Sequence, residues 1–186
     1  MELLVVLGLF SLAVTMASAI FLQSNRAQRR VLAVSAAQSD LRFALELMVR
    51  EIRTGRIDYP TYAETGGVSI PSPRLFVIDG DGGKEEFYLE NSPLVCTAPS
   101  TRCLAVRLNG SAPQPVTSSG LDVERLAFHV NPQVDPYVPE PGSGAFGADQ
   151  QPVVTIVMHV RTAGAAVGDI VRLQAQTTAA SRTYAR

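Results

Sequence analysis

Residues 3–22 read LLVVLGLFSLAVTMASAIFL, a run of 20 without a charge or a proline. Coiled as an α-helix it rises ~1.5 Å per residue and reaches ~30 Å, the thickness of a bilayer's hydrocarbon core. A secretory signal peptide is the competing reading, with removal after Ala17-Ser18-Ala19. Such peptides carry a basic segment ahead of a shorter apolar core. Here nothing basic precedes the run, and it passes unbroken into a polar helical pattern. A retained membrane helix is therefore the preferred reading.

Glu2 stands directly before the apolar run. At an exposed helix N-terminus the dipole favours a carboxylate by ~0.3–1 kcal/mol. Inside a bilayer an unpaired, ionised one costs several kcal/mol (~2.5–3.5 on the insertion scale for Asp at mid-helix), and a partner charge is then required. Gly8, Ser11, Thr15 and Ser18 recur at steps of three, four and three, so they share one helix face. In lipid, small residues let helices approach closely. Alternatively, the three hydroxyls are tolerated because each can bond its own helix backbone.

The helical pattern continues past the span. Gln23 to Thr54 contains neither Pro nor Gly, and Leu41, Leu45, Met48 and Ile52 recur at helical steps, widened by Ala44 and Val49. Thr54-Gly55 is a helix stop, with Arg50, Arg53 and Arg56 near the negative end of the dipole. One helix from Met1 to Thr54 would be ~80 Å long. Only its last turns, from about Leu41, carry a stripe suited to packing on a sheet.

The whole chain of 186 residues has a net charge of −1, with 46% hydrophobic and 18% charged residues. A basic nucleic-acid coat and a disordered chain are both excluded. The charge is unevenly placed: residues 26–56 hold seven Arg against Asp40, Glu46 and Glu51. A solvated helix face is the plain account of this basic stem, and contact with acidic neighbours or lipid headgroups is the other.

After Gly55 short β-branched and aromatic runs alternate with Gly, Pro and Asn. Strands are expected at Arg74–Ile78, Glu86–Leu89, Leu104–Leu108, Val123–Val130, Val153–Arg161 and Ile170–Gln176. Asn131 to Pro152 holds five Pro and three Gly, the composition of a long surface loop. The fold class is α+β: a long N-terminal helix, its last turns packed on an antiparallel sheet. Its segments are a transmembrane or filament-core helix (1–22), an amphipathic extension of the same helix (23–55) and a β-rich head (56–186).

Cys96 and Cys103 flank a short loop with Pro99. A disulfide there would contribute ~2–3 kcal/mol on the loop-entropy model and implies a non-cytoplasmic head. A reduced thiol pair and a two-ligand metal site are the alternatives, and the two His residues are too distant in sequence to complete the latter. Other motifs carry little. Residues 142–147 match G-x-G-x-x-G, but prolines surround them where a strand and a helix are needed. Asp79, Asp81 and Glu85 or Glu86 suggest a calcium loop, yet Gly83 and Lys84 break the EF-hand pattern, so a plain turn is the reading and an irregular calcium site the alternative. Asn109-Gly110-Ser111 is both a glycosylation sequon and a good turn. His129 and His159 stand alone on expected strands. No catalytic motif is present, so the expectation is a non-enzymatic protein with no cofactor and no metal.

Glu2-Leu3-Leu4-Val5-Val6, a seamless membrane helix, a polar stem and a β-rich head together resemble the type IV pilin and pseudopilin superfamily. The stretches LRFALELMVREIRTGRI from Leu41, GLDVERLAFHV from Gly120 and LQAQTTAASRTYAR from Leu173 are similar to pseudopilin J and related minor pilins. The resemblance implies a structural subunit of a type IV pilus or type II secretion filament, in an initiation or tip complex. Glu2 would pair with the N-terminal amine of a neighbouring subunit, a neutralisation that also fixes axial register. Implied partners are other pilins or pseudopilins, the inner membrane before assembly, a prepilin peptidase that cuts and methylates the N-terminus, and an assembly platform with its ATPase. The implied location is a single-pass inner-membrane protein with a periplasmic head, later part of a filament.

Two features depart from the family pattern. The family's basic leader and cleavage glycine do not precede Glu2, and the proline that kinks the family's span is absent. Arg26, Arg29 and Arg30 follow the span without a basic counterweight, so the positive-inside rule points the head into the cytoplasm, against the disulfide reading. A leader missing from this sequence would restore the balance. A DNA-uptake or adhesive minor pilin, binding through the 131–152 loop, is the second reading, and a membrane-anchored enzyme the third.

Overall fold

The computed structural model describes residues 2–139, 144, 150–164 and 170–182. Helix α1 is continuous over Glu2–Thr54. The chain divides into two compact units, 1–36 and 37–186, so the extension expected over 23–55 is shared between them.

Within the second unit, α1 contributes the stripe Ala37, Leu41, Ala44, Met48 and Ile52 to the core, all at most 6% exposed. The steps of four, three, four and four keep them on one face. Leu45 and Val49 lie at the margin of this stripe, half-buried. The helix stops at Gly55, whose N–H still bonds the carbonyl of Glu51 at 2.9 Å. A side chain here would run into the Ile78 carbonyl and come within 2.9 Å of Val77 Cγ1. Close backbone approach, rather than torsional freedom, is therefore what calls for glycine.

Two short elements follow: β1 (Arg56–Ile57) and the helix α2 (Tyr59–Glu64). Asp58 caps α2 by accepting the N–H of Thr61 at 3.2 Å, and Pro60 sits in its first turn, where no N–H is needed. The meander then runs through β2 (Arg74–Ile78), β3 (Lys84–Glu90), β4 (Cys103–Leu108) and β5 (Gln114–Pro115). These strands form one antiparallel sheet in the order β1-β2-β3-β4-β5. Its register sets Leu75 opposite Phe87 and Phe87 opposite Val106. A second antiparallel sheet joins β6 (Leu121–Asn131), β7 (Val153–Thr162) and β8 (Arg172–Ala180).

The expected α+β arrangement, with the end of the long helix packed on antiparallel strands, is present, but the strands make two sheets where one was expected. The outer edge of β4 is occupied by β5, which pairs Ala105 with Pro115 and Val106 with Gln114. Strand β6 packs against β2, β3 and β4, and its backbone hydrogen bonds to that half of the head go to residues flanking those strands. Ser72 and Phe128 exchange two backbone bonds, and Val123 N–H donates to the Arg102 carbonyl at 2.9 Å. The two sheets and the α1 stripe share one core, in which Phe87, Leu104, Phe128, Ile156 and Met158 are fully buried.

Strand β6 also bends. Leu121 and Val123 point inward, and so do Leu126, Phe128 and Val130. The inward set changes phase at Glu124, where the pairing with β7 shifts by a bulge. Without that extra residue the second group would face water.

Candidate functional site

The first candidate surface is the start of α1. Leu3, Val5, Leu7, Leu9, Phe10 and Phe21 are each more than half exposed. This helix is long and apolar enough to cross a membrane, and none of its apolar window is buried. Glu2 lies in its first turn and is exposed. The face of Gly8, Ser11, Thr15 and Ser18 is exposed as well. Ser11 donates to the Gly8 carbonyl at 2.9 Å, Thr15 to that of Leu12 at 2.9 Å, and Ser18 to that of Val14 at 2.8 Å. The hydroxyls are thus satisfied within their own helix, and none needs a polar partner from a neighbour.

Arg26, Arg29 and Arg30 follow one to two turns beyond Leu22, all exposed, and no carboxylate pairs with them among the described residues. The head differs in supplying its own counter-charges. Arg74 and Arg107 share Glu86 at 2.6 and 3.0 Å, and both lie over the ring of Tyr88.

Cys96 and Cys103 form a disulfide with Cα atoms 5.5 Å apart, both buried. The loop they close is held to the second sheet by Asp122, which is buried at the start of β6. Its Oδ1 accepts the N–H groups of Thr101 at 3.1 Å and Arg102 at 2.7 Å, and its Oδ2 takes Nε and Nη2 of Arg161 at 2.9 and 2.7 Å. Burial pushes the Asp122 carboxyl up, but the Arg161 guanidinium and the donors from Arg102 and Thr101 outweigh it and hold the group below its ordinary value. Sequence reading missed this cluster. In the sequence Asp122 is an ordinary polar member of the alternation Leu121-Asp122-Val123, and its place opposite Arg161 is set by the ladder alone.

The acidic turn is built for its own backbone. Asp79 Oδ1 accepts the N–H of Asp81 at 2.9 Å and of Gly83 at 2.7 Å, which closes the turn between β2 and β3. Among the described residues no group of three or more His, Cys, Asp and Glu is placed to hold a metal. Glu85 is pushed above its ordinary value by burial, then by the nearby carboxylates of Glu51 and Asp79, and its Oε2 is buried without a hydrogen bond. Asn109 adopts φ 50° in the turn to β5, and its side chain accepts the Lys84 N–H at 2.7 Å. His129 lies opposite Thr155 and His159 opposite Arg125, so the two histidines are not paired.

Much of the 131–152 loop, and residues 142, 143 and 145–147 of the G-x-G-x-x-G match, lie outside the described residues. The described beginning of the loop is anchored by Tyr59, whose hydroxyl donates to the Pro132 carbonyl at 2.9 Å. It walls an apolar cleft of about 370 Å³ with Tyr59, Val68, Val134 and Val138. A second groove, of about 520 Å³, lies between α1 and β8, floored by Leu41, Leu45, Val49, Leu173 and Ala175. Glu2, Gly8, Ser11, Thr15, Ser18, Cys96 and Cys103 line neither cleft, whereas the start of the 131–152 loop, the candidate receptor-facing segment, lines the first.

Searches against protein-family models, curated proteins and solved structures find no match.

Proposed function

We propose that this protein is a membrane-anchored structural subunit, a minor pilin or pseudopilin of a type IV pilus or type II secretion filament, and not an enzyme. One observation carries the reading. A single helix begins as an exposed apolar segment of membrane-spanning length, and its last turns supply the core stripe of an antiparallel β head. Apolar surface left in water is unfavourable by ~25 cal/mol per Å², so the first segment needs lipid or other helices around it. In the membrane it anchors the subunit. In a filament the same surface packs against like helices, with the heads outward, and initiation or tip assembly with other minor pilins follows from the resemblance to the J-like group.

Glu2 has the assembly role in this reading, pairing with a neighbouring subunit's terminal amine. Replacing it, Glu2→Ala, leaves the protein in the inner membrane and abolishes its incorporation into filaments, read by immunoblotting sheared filaments against membranes. Normal incorporation of the variant removes that role. A binding minor pilin is the second reading, supported by the apolar cleft beside the described start of the 131–152 loop.

A further inference from the structure

We infer that Arg26, Arg29 and Arg30 form a binding site for anionic phospholipid headgroups at the surface of the membrane that the apolar segment enters. The inference rests on the membrane-anchoring part of the proposed function and assigns that anchor a lipid partner.

The placement comes first. The three arginines lie four, seven and eight positions beyond Leu22, hence ~6 to ~12 Å along the helix axis from the end of the apolar run. The headgroup layer on each side of a bilayer is ~5–8 Å thick. Side chains on a helix lean toward its N-terminus, which here is the membrane side. A guanidinium on a long apolar stem can therefore reach back to the phosphates while its methylenes lie along the interface. Spacings of three and one put the three residues within ~100° of the helix circumference, on a single face.

Counter-charge decides the partner. Between Glu2 and Asp40 there is no acidic residue, so no carboxylate lies within a turn of these arginines on their own helix. All three are exposed and lack an ion-pair partner among the described residues. The described residues supply no counter-charge, and phosphate headgroups are the anions that the apolar segment brings within reach. Guanidinium matches phosphate through paired N–H donors, which makes arginine well suited to this contact.

The test uses the full chain reconstituted into phosphatidylcholine vesicles containing a minor fraction of phosphatidylglycerol. Flotation reads insertion, and spin-labelled phosphatidylglycerol and phosphatidylcholine read which lipid is held at the protein. The wild type floats and prefers phosphatidylglycerol by about fivefold or more, the factor carried by one arginine at an anionic surface. The preference collapses at molar salt, where the screening length falls to ~3 Å. It is lost in R26Q/R29Q/R30Q and kept in R42Q/R53Q. Wild-type protein that floats without a preference, or a preference that survives in the triple variant or at molar salt, overturns this inference alone. Protein that does not float overturns the membrane reading with it.

Discussion

Residues 3–22 and 37–54 belong to the same helix and are both rich in apolar side chains, yet they meet opposite surroundings. In the first stretch every described side chain is exposed, with Phe10 at 66% and Phe21 at 69%. In the second, Ala44, Met48 and Ile52 are wholly buried and Arg42, Glu46 and Arg50 face water. The difference lies in pattern as well as content. An apolar stripe with a charged back fits a globular core, whereas an apolar surface all round fits a lipid or helical environment. Helix formation is thus common to both stretches, and the distribution of charge around the axis sets what each one packs against.

The largest effect expected from this contrast is at Met48. Met48→Asp places a carboxylate in a fully buried position and destabilises the head by about 4 kcal/mol or more, read as loss of the cooperative melt of the detergent-solubilised chain. The matching change in the first stretch, Leu12→Asp, leaves that melt unchanged. It adds ~3 kcal/mol to the cost of insertion, read as protein released from membranes by carbonate. A Leu12→Asp chain that melts early breaks the comparison.

Asp122 tests whether the head holds together by its own polar contacts. Asp122→Asn weakens the grip on Arg161 and the 101–102 backbone and costs about 2 kcal/mol in urea melts at pH 7. The folded carboxyl titrates below its ordinary 3.8, so its stabilising contribution is complete above that value and disappears as pH falls through the lower folded one. The gap between wild type and variant should close as melts are taken from pH 5 to the most acidic conditions the chain tolerates. A constant gap contradicts the assignment.

The smallest effect is at Glu85, and it has the opposite sign. This carboxyl is raised by burial and by Glu51 and Asp79, so its charged form is disfavoured in the folded head. Glu85→Gln stabilises by a few tenths to ~1 kcal/mol at pH 7, the scale of a close charge pair near the surface. The penalty in the wild type is full above the raised folded value and absent below the ordinary 4.5, so the gain vanishes as pH drops past 4.5. A gain that persists there shows that charge is not its cause.

Legibility followed local periodicity. The expected strand Arg74–Ile78 matches β2 residue for residue, and the other five expected strands overlap β3, β4, β6, β7 and β8. The pairs Arg56–Ile57 and Gln114–Pro115 are too short to show alternation. Helix α2 has six residues and went unread, although Asp58 followed by Pro60 is a helix-start signal. The β6 bulge was also written in the sequence, as the phase jump from Val123 to Leu126.

By itself, the sequence determined the long helix, its apolar opening, its stop at Gly55 and most of the strands, because each follows from residues a few positions apart. Tertiary structure alone decided that the strands split into two sheets and that Asp122 reaches both Arg161 and the 101–102 backbone. It also set Glu85 close to Glu51 and Asp79. Those outcomes depend on which distant segments share an edge or a buried volume, and a pattern of period two or 3.6 carries no information about partners dozens of residues away.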